Sequence, residues 1–359
     1  MLPQLLDSTK KRVAAGAVAC VTLVGGGAVA LVTVGADNPP PTTTTTTSTT
    51  TTLPPTTVPP PVAPLTGLPG DAAALGRVAL VVKIDNVEPK ARPQVGINQA
   101  DVVYEERVEG SVTRFLAVFH STDSAPVGPV RSARSSDLGV LLSLHRPLFA
   151  WSGANNFFAS AIRNGNVSDV GYDRATSHYY RADDRPGPHD LMVRSTAELM
   201  AIPSEGSTTP PTLFVYRTKD QAAAHLEPIA GVRVDFGSSA GAAPVEYRWN
   251  GTGWARTQKG TPHVDAAGVQ VAPANVIVQF TPYASSGVND QFGKPIPEAQ
   301  MVGEGDAWIL TNGGVVVGRW HKPSLEAVTT YTDVDGNPIG LTPGRTWVAL
   351  PPPGGATRL

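Results

Sequence analysis

Two arginines three positions apart, Arg131 and Arg134, follow the turn Gly128-Pro129 and sit among Ser132, Ser135, Ser136 and Asp137. Guanidinium groups at that spacing, beside residues that cap helices, are the chemistry of an anion site. They offer paired charged donors to a phosphate or carboxylate, and a helix start adds unpaired amides. The competing use is internal, with the arginines paired to Asp101, Glu105 or Glu109. Other polar residues fall at strand ends and in loops, where sites are built. Asp85 and Asn86 close an apolar run, Arg92 stands in the loop 91–94, Glu105 follows Tyr104, and His189 lies between Pro188 and Asp190. Asn86, Arg92, Glu105, Arg131, Ser132 and Arg134 are the candidate ligand-binding residues, with Asp85 and Glu105 orienting the arginines or a cation. Asp85 and His189 are the candidates for proton transfer, because imidazole changes charge near neutrality and a neighbour can fix its tautomer. Ser132 beside two arginines is a nucleophile only if a base is at hand, and none is identifiable from spacing.

The sequence names no reaction. G-x-S-x-G, a P-loop, H-E-x-x-H and a strand-borne G-x-G-x-x-G are all missing from it. One cysteine, Cys20, permits neither an internal disulfide nor a multi-cysteine metal site, so no metal and no cofactor is expected. A net charge of −2 over 359 residues argues against nucleic-acid binding, which needs a concentrated basic face.

Strands and helices must hold these side chains. Residues 78–84 (VALVVKI), 100–106 and 114–120 (RFLAVFH) are β-branched or aromatic runs and read as strands. Residues 138–144 read as a mostly buried helix beginning at the serine-rich stretch, and 155–163 and 197–202 carry helical patterns. A short strand is expected at 213–216. Strands mixed with helices predict an α/β or α+β domain over 65–225. Beyond it the helical signal fades. Short runs, 269–271 among them, are separated by Asn250-Gly251, Asn312-Gly313-Gly314 and Asp335-Gly336-Asn337-Pro338, which predicts a smaller mainly-β domain over 226–359.

Ahead of both lies an addressing region. Lys10, Lys11 and Arg12 precede an uncharged stretch, 13–36, long enough to cross a bilayer. The basic cluster keeps residues 1–12 in the cytoplasm and sends the rest out, as a single-pass signal anchor. Small residues at Val34-Gly35-Ala36 leave open cleavage after Ala36 and secretion. Residues 37–64, rich in threonine and proline, have almost nothing apolar to bury and read as a disordered linker. Ala17-Val18-Ala19-Cys20 is similar to a lipoprotein cleavage box, but 13–16 is too short an apolar lead for one.

Several phrases resemble the YerB-like family of bacterial envelope lipoproteins, a domain of unknown function in two halves. They include Pro64-Leu65-Thr66-Gly67, Ile84-Asp85-Asn86, Ala91-Arg92-Pro93-Gln94, 100–105 (ADVVYE), Thr113-Arg114-Phe115 and 128–134 (GPVRSAR). Pro188-His189-Asp190-Leu191 fits too, with Asp190 where the family more often has Asn. So do Asn275-Val276-Ile277-Val278, Gly303-Glu304-Gly305 and 344–348 (GRTWV). The resemblance covers nearly everything from residue 64 onward. It implies a membrane-tethered, extracytoplasmic protein and supplies no activity; Cys20 departs from its lipoprotein pattern. The order of elements is also similar to that of LytR-type enzymes, which transfer polymers from a lipid pyrophosphate to the cell wall, without their signatures. The expected function is a membrane-anchored envelope protein binding an anionic ligand, with a cell-wall precursor or polymer as partner class. A polymer-modifying enzyme and a non-catalytic envelope adaptor are the alternatives.

Overall fold

The apolar runs of the first half become strands buried on both faces, which is why they read as continuous rather than alternating. The computed structural model describes residues 60–359, apart from 219, 238–243 and 291. In chain order the first half gives α1 (Ala72–Leu75), β1 (Leu80–Asp85), β2 (Val102–Arg107), β3 (Thr113–Phe119), α2 (Leu138–Leu141), β4 (Leu148–Ala150), α3 (Asn156–Asn164), β5 (Ser168–Asp169), β6 (Tyr179–Arg181), β7 (Leu191–Val193) and α4 (Thr196–Met200). After α4 the described residues add strands alone. They are β8 (Glu227–Pro228), β9 (Gly231–Val234), β10 (Val245–Trp249), β11 (Trp254–Gln258), β12 (Thr261–Pro262), β13 (Asn275–Gln279), β14 (Tyr283–Asn289), β15 (Pro295–Ala299), β16 (Gly303–Thr311), β17 (Gly314–Lys322), β18 (Thr330–Thr332), β19 (Thr346–Leu350) and β20 (Ala356–Arg358).

Both halves build one sheet, in the order β18-β17-β16-β13-β19-β2-β3-β1-β4-β5, with β8 also paired to β17. The halves join where β19 runs parallel to β2, Trp347 opposite Val103 and Ala349 opposite Glu105. Joining them there leaves neither β2 nor β19 as an open edge. A second sheet, β12-β11-β10-β9-β20, belongs to the second half. It covers one face of the large sheet, where Leu80, Val82, Ile84 and Phe115 pack with Val232, Tyr247 and Trp254. The other face takes Val81, Leu116 and Val118 against Val140, Leu141, Ile162 and Met301. Strand alternation sends neighbouring residues to opposite cores, so the parity of a position decides its chemistry.

The helical content of the first half falls short of the α/β expectation. α1, α2 and α4 span four or five residues each, and the whole is a two-part, mostly-strand architecture. The helix expected at 138–144 is broken into α2 between 3-10 turns at Ser135–Asp137 and Leu142–Leu144. The strand expected at 213–216 survives as a bridge, Tyr216 to Leu341, and 269–271 as another, Val264 to Gln270. The β14–β15 hairpin was not foreseen: β14 reads YASSGVN and is largely exposed, so no apolar pattern marks it. Ordered pairing begins at Pro61, whose carbonyl accepts from Gly70 N–H at 2.9 Å, and Ala63 is buried. The last residues of the linker assigned to 37–64 thus belong to the folded body. Residues 1–12, the 13–36 span, Cys20 and 37–59 lie outside the described residues. Among the described residues no helix is long and apolar enough to cross a membrane.

Candidate functional site

Three segments meet at the end of β1. β1 carries Asp85 opposite Arg114 of β3, and Arg114 in turn stands opposite Glu106 of β2. The segment leading to Arg131 lies along β1: Asp85 N–H donates to Pro129 O at 2.9 Å and Arg131 N–H to Lys83 O at 2.8 Å. β7 follows the loop that holds His189, and Val130 N–H donates to Leu191 O at 2.6 Å. His189 Nδ1 therefore comes 2.6 Å from Asp85 Oδ2. A carboxylate only accepts, so Nδ1 carries the proton. Arg131 Nε is 3.0 Å from the same oxygen but makes no hydrogen bond, an ion pair whose N–H is misaligned. Asp85 is fully buried and also accepts from Val87 N–H at 3.2 Å. It orients His189 and Arg131 and does not itself open to solvent.

Beside these lies a cleft of about 600 Å³, walled by Arg114, Arg131, Ser132, Arg134, Asn155 and Lys294, with Glu109 and Asp290 as its carboxylates. Arg134 is paired internally: Nε donates to Glu109 Oε2 at 2.9 Å, Nη2 to Glu109 Oε1, and Nη1 to Ala133 O at 2.6 Å. Burial pushes the Glu109 carboxyl up, but the bonds from Arg134 and the charges of Arg114 and Arg134 outweigh it and hold the group at about 2. Arg114 is buried, donates from Nη1 to Ser132 O at 3.1 Å, and leaves Nε without an acceptor. Burial and the Arg134 charge draw it down to about 10, still a cation at neutral pH. Arg131 is the freest of the three arginines: its side chain is 23% exposed and its Nη atoms donate to no described residue. Both arginines of the motif are thus engaged with carboxylates, and a hollow still lies beside them.

The amide expected to be free at the helix start is taken. Arg134 N–H donates to Asp137 Oδ2 at 2.8 Å. Asp137 Oδ1 also accepts from Lys83 Nζ at 2.6 Å, and Lys83 reaches Glu106 Oε1 at 2.5 Å, all three buried. Burial lifts the Glu106 carboxyl to about 7, Lys83 opposing and Asp137 adding to the lift.

Of the residues expected at the site, Arg131, Ser132 and Arg134 line the cleft; Asp85 and His189 lie behind Arg131 outside its lining, and Asn86, Arg92 and Glu105 do not reach it. Glu105 sits on the opposite face of β2 from Glu106, fully buried. Its Oε1 accepts from Arg256 Nη2 at 2.7 Å and Thr113 Oγ1 at 2.8 Å; its Oε2 accepts from Trp347 Nε1 at 3.0 Å and Tyr247 OH at 3.2 Å. With both oxygens occupied it can orient neither Arg131 nor Arg134. Arg256 also meets His263 Nδ1 at 2.6 Å. Burial and the charges of Arg256 and Arg92 keep His263 far below its ordinary value, hence neutral, so Nδ1 accepts and Nε2 donates to Gln94 Oε1 at 2.8 Å. Gln94 Nε2 then bonds Asp85 O at 3.0 Å and Asn86 Oδ1 at 3.2 Å. Asn86 Nδ2 reaches Thr113 at 2.8 Å and Gln258 at 2.9 Å, so it is a buried link between the two halves. Arg92 pairs with Glu88 and lines a different hollow with Lys259 and Pro262.

Sequence reasoning left out Arg114 and Lys294. A charge inside the apolar run RFLAVFH was the available signal for Arg114; Lys294, on the unforeseen hairpin, had none. Elsewhere among the described residues, His225, Asp333 and Asp335 bring ligand atoms within 4.8 Å of one another, but His225 is spent on Asp335 at 2.8 Å and the trio is mostly exposed.

Residues 65–208 match the model described as "Protein of unknown function (DUF3048) N-terminal domain", and 232–348 match the corresponding C-terminal domain. A Bacillus subtilis (strain 168) protein named "Putative lipoprotein YerB" is 30% identical over 299 residues, covering 81% of this chain and 86% of the relative. The crystal structure of YerB from Bacillus subtilis superposes with a TM-score of 0.71 at 26% identity, over 83% of this chain and 99% of that one.

Proposed function

The chain belongs to the DUF3048 family, and from that premise we propose that it is an envelope-associated protein whose folded body binds an anionic ligand in the arginine cleft. A relative named as a lipoprotein supports the envelope. The uncharged 13–36 stretch supports a membrane anchor on the N-terminal side, with the folded body outside the cell. The ligand class is a phosphate or carboxylate carried by an envelope component such as a cell-wall precursor. The observation that carries this reading is Arg131. Its Nε end is positioned by Asp85 while its Nη atoms, at the wall of a 600 Å³ hollow, have no protein acceptor among the described residues. A charge-assisted pair of bonds from such a group contributes about 1.5–3 kcal/mol. Titration of inorganic phosphate into the full chain in neutral detergent should therefore weaken about ten- to a hundredfold in Arg131→Ala, with Arg131→Lys intermediate. Equal affinity in all three places the anion elsewhere.

One contact favours a second reading, an enzyme acting on wall polymers. His189 protonated at Nδ1 towards Asp85 presents an unprotonated Nε2, the arrangement of a general base. Asp85, buried behind it, would be a positioning residue. That reading expects turnover of wall polymer that is lost in His189→Ala and weakened, with an altered pH profile, in Asp85→Asn. Wall polymer left intact by the wild-type chain removes it.

A further inference from the structure

We infer that the ligand of the arginine cleft is an anionic amphiphile, whose charged head sits among the arginines and whose apolar chain lies in an adjoining groove. The inference rests on the anion reading above and adds the chemistry of the rest of the molecule bound. A second hollow, of about 340 Å³, is lined by chain neighbours of the residues that line the cleft. Three segments line both hollows at successive positions. α3 and its cap give Asn155 and Phe158 to the cleft, Phe157 and Ala161 to the groove. β15 and the residue before it give Lys294 and Ile296 to the cleft, Glu298 and Ala299 to the groove. The turn after Ala133 gives Arg134 to the cleft and Ser135 to the groove. The same three segments thus run past both hollows, and a ligand spanning the two would lie along α3 and β15 in one trough.

Its two ends differ in chemistry. The cleft holds the cations. The groove is lined by Leu138, Phe157, Met301, Val302 and Leu325, and Glu298 stands there instead of a cation. A carboxylate in the groove excludes the anionic head from that end and sets the direction of the ligand. The apolar residues are open to water, Phe157 at 57%, Val302 at 45% and Leu325 at 38%. Phe292, at 77%, stands at the cleft mouth, so both exposed phenylalanines among the described residues border the trough. Exposed apolar groups gathered along a concave surface next to fixed charges suit a hydrocarbon chain with a charged end. A peptide strand is less well served, because Ala299 N–H on β15 is already bonded to Ser136 Oγ at 2.9 Å.

The test uses residues 60–359, the described body, which holds both hydrophobic cores. Binding of inorganic phosphate is compared with butyl, octyl and dodecyl phosphate, each below its micelle concentration, and with dodecyl maltoside as a neutral head. In the wild type, affinity should rise along the phosphate series by about fourfold for each methylene that becomes buried. Phe157→Ser with Leu325→Ser should flatten the rise, and Arg131→Ala should lower every phosphate by one common factor. No rise with chain length in the wild type, a rise surviving the double substitution, or maltoside binding as tightly as dodecyl phosphate overturns the amphiphile while the anion reading stands. Phosphates indifferent to Arg131→Ala instead bring down the anion reading itself.

Discussion

Adjacent residues of β2 have opposite fates because a strand turns alternate side chains to opposite faces. Glu106 faces Lys83 and the arginine side; Glu105 faces Arg256 and the small sheet. The Glu105–Arg256 pair is fully buried, with Arg256 lying 5.1 Å from the Trp347 ring centroid and 5.5 Å from that of Phe115. Removing one charge strands the other without water, which costs about 3–5 kcal/mol. Glu105→Gln should lose that much stability in urea denaturation; a loss below about 1 kcal/mol would mean that the pair is not sealed. Glu106 sets a pH dependence of its own. Its carboxyl is raised from 4.5 to about 7, so the folded state binds a proton that the unfolded chain releases. The associated stability is fully present below about pH 4.5 and is lost as pH rises through about 7. Glu106→Gln should reduce the difference in stability between pH 4.5 and pH 8, measured in the same denaturant series. An unchanged difference assigns the proton to another group.

Among the elements, α3 lines both hollows, as do β15 and the turn after Ala133. Its start is fixed by Asn155, whose side chain accepts from Phe158 N–H at 3.0 Å. That bond satisfies one of the amides a helix leaves open, and Phe158 behind it lies under the Arg134 guanidinium at 5.7 Å. Asn155→Ala should cost about 1 kcal/mol. It should also increase hydrogen exchange at the α3 amides more than in the strands of the large sheet; uniform change across the fold would show that the cap acts only globally. The turn Ser135–Asp137 is held differently. Asp137 closes it through Arg134 N–H and is itself held by Lys83, so the arginine motif is fastened to β1 from beneath.

At the scale of the whole molecule, the shared sheet makes the two halves interdependent. β19 belongs to the second half in sequence and pairs with β2 of the first. The network from Trp347 through Glu105, Arg256, His263 and Gln94 to Asn86 crosses the same boundary. Residues 60–359 should therefore unfold in one transition, with tryptophan fluorescence and far-ultraviolet circular dichroism coinciding. Two resolved transitions would show that the halves are separable.

What the sequence determined by itself was local. Hydrophobic runs announced β1, β2, β3 and most strands of the second half. Asn155 and the pattern after it announced α3, and the paired arginines announced a charged cleft. Those signals need only neighbouring residues to be read. The tertiary structure decided the rest, because register and packing depend on residues far apart in the chain. It sent Glu105 away from the arginines and gave that place to Glu109. It brought His189 across 104 positions to Asp85 and drew Arg114 and Lys294 into the cleft. It also spent Arg134 on a carboxylate while leaving the end of Arg131 without one, a difference between two like residues that spacing cannot express.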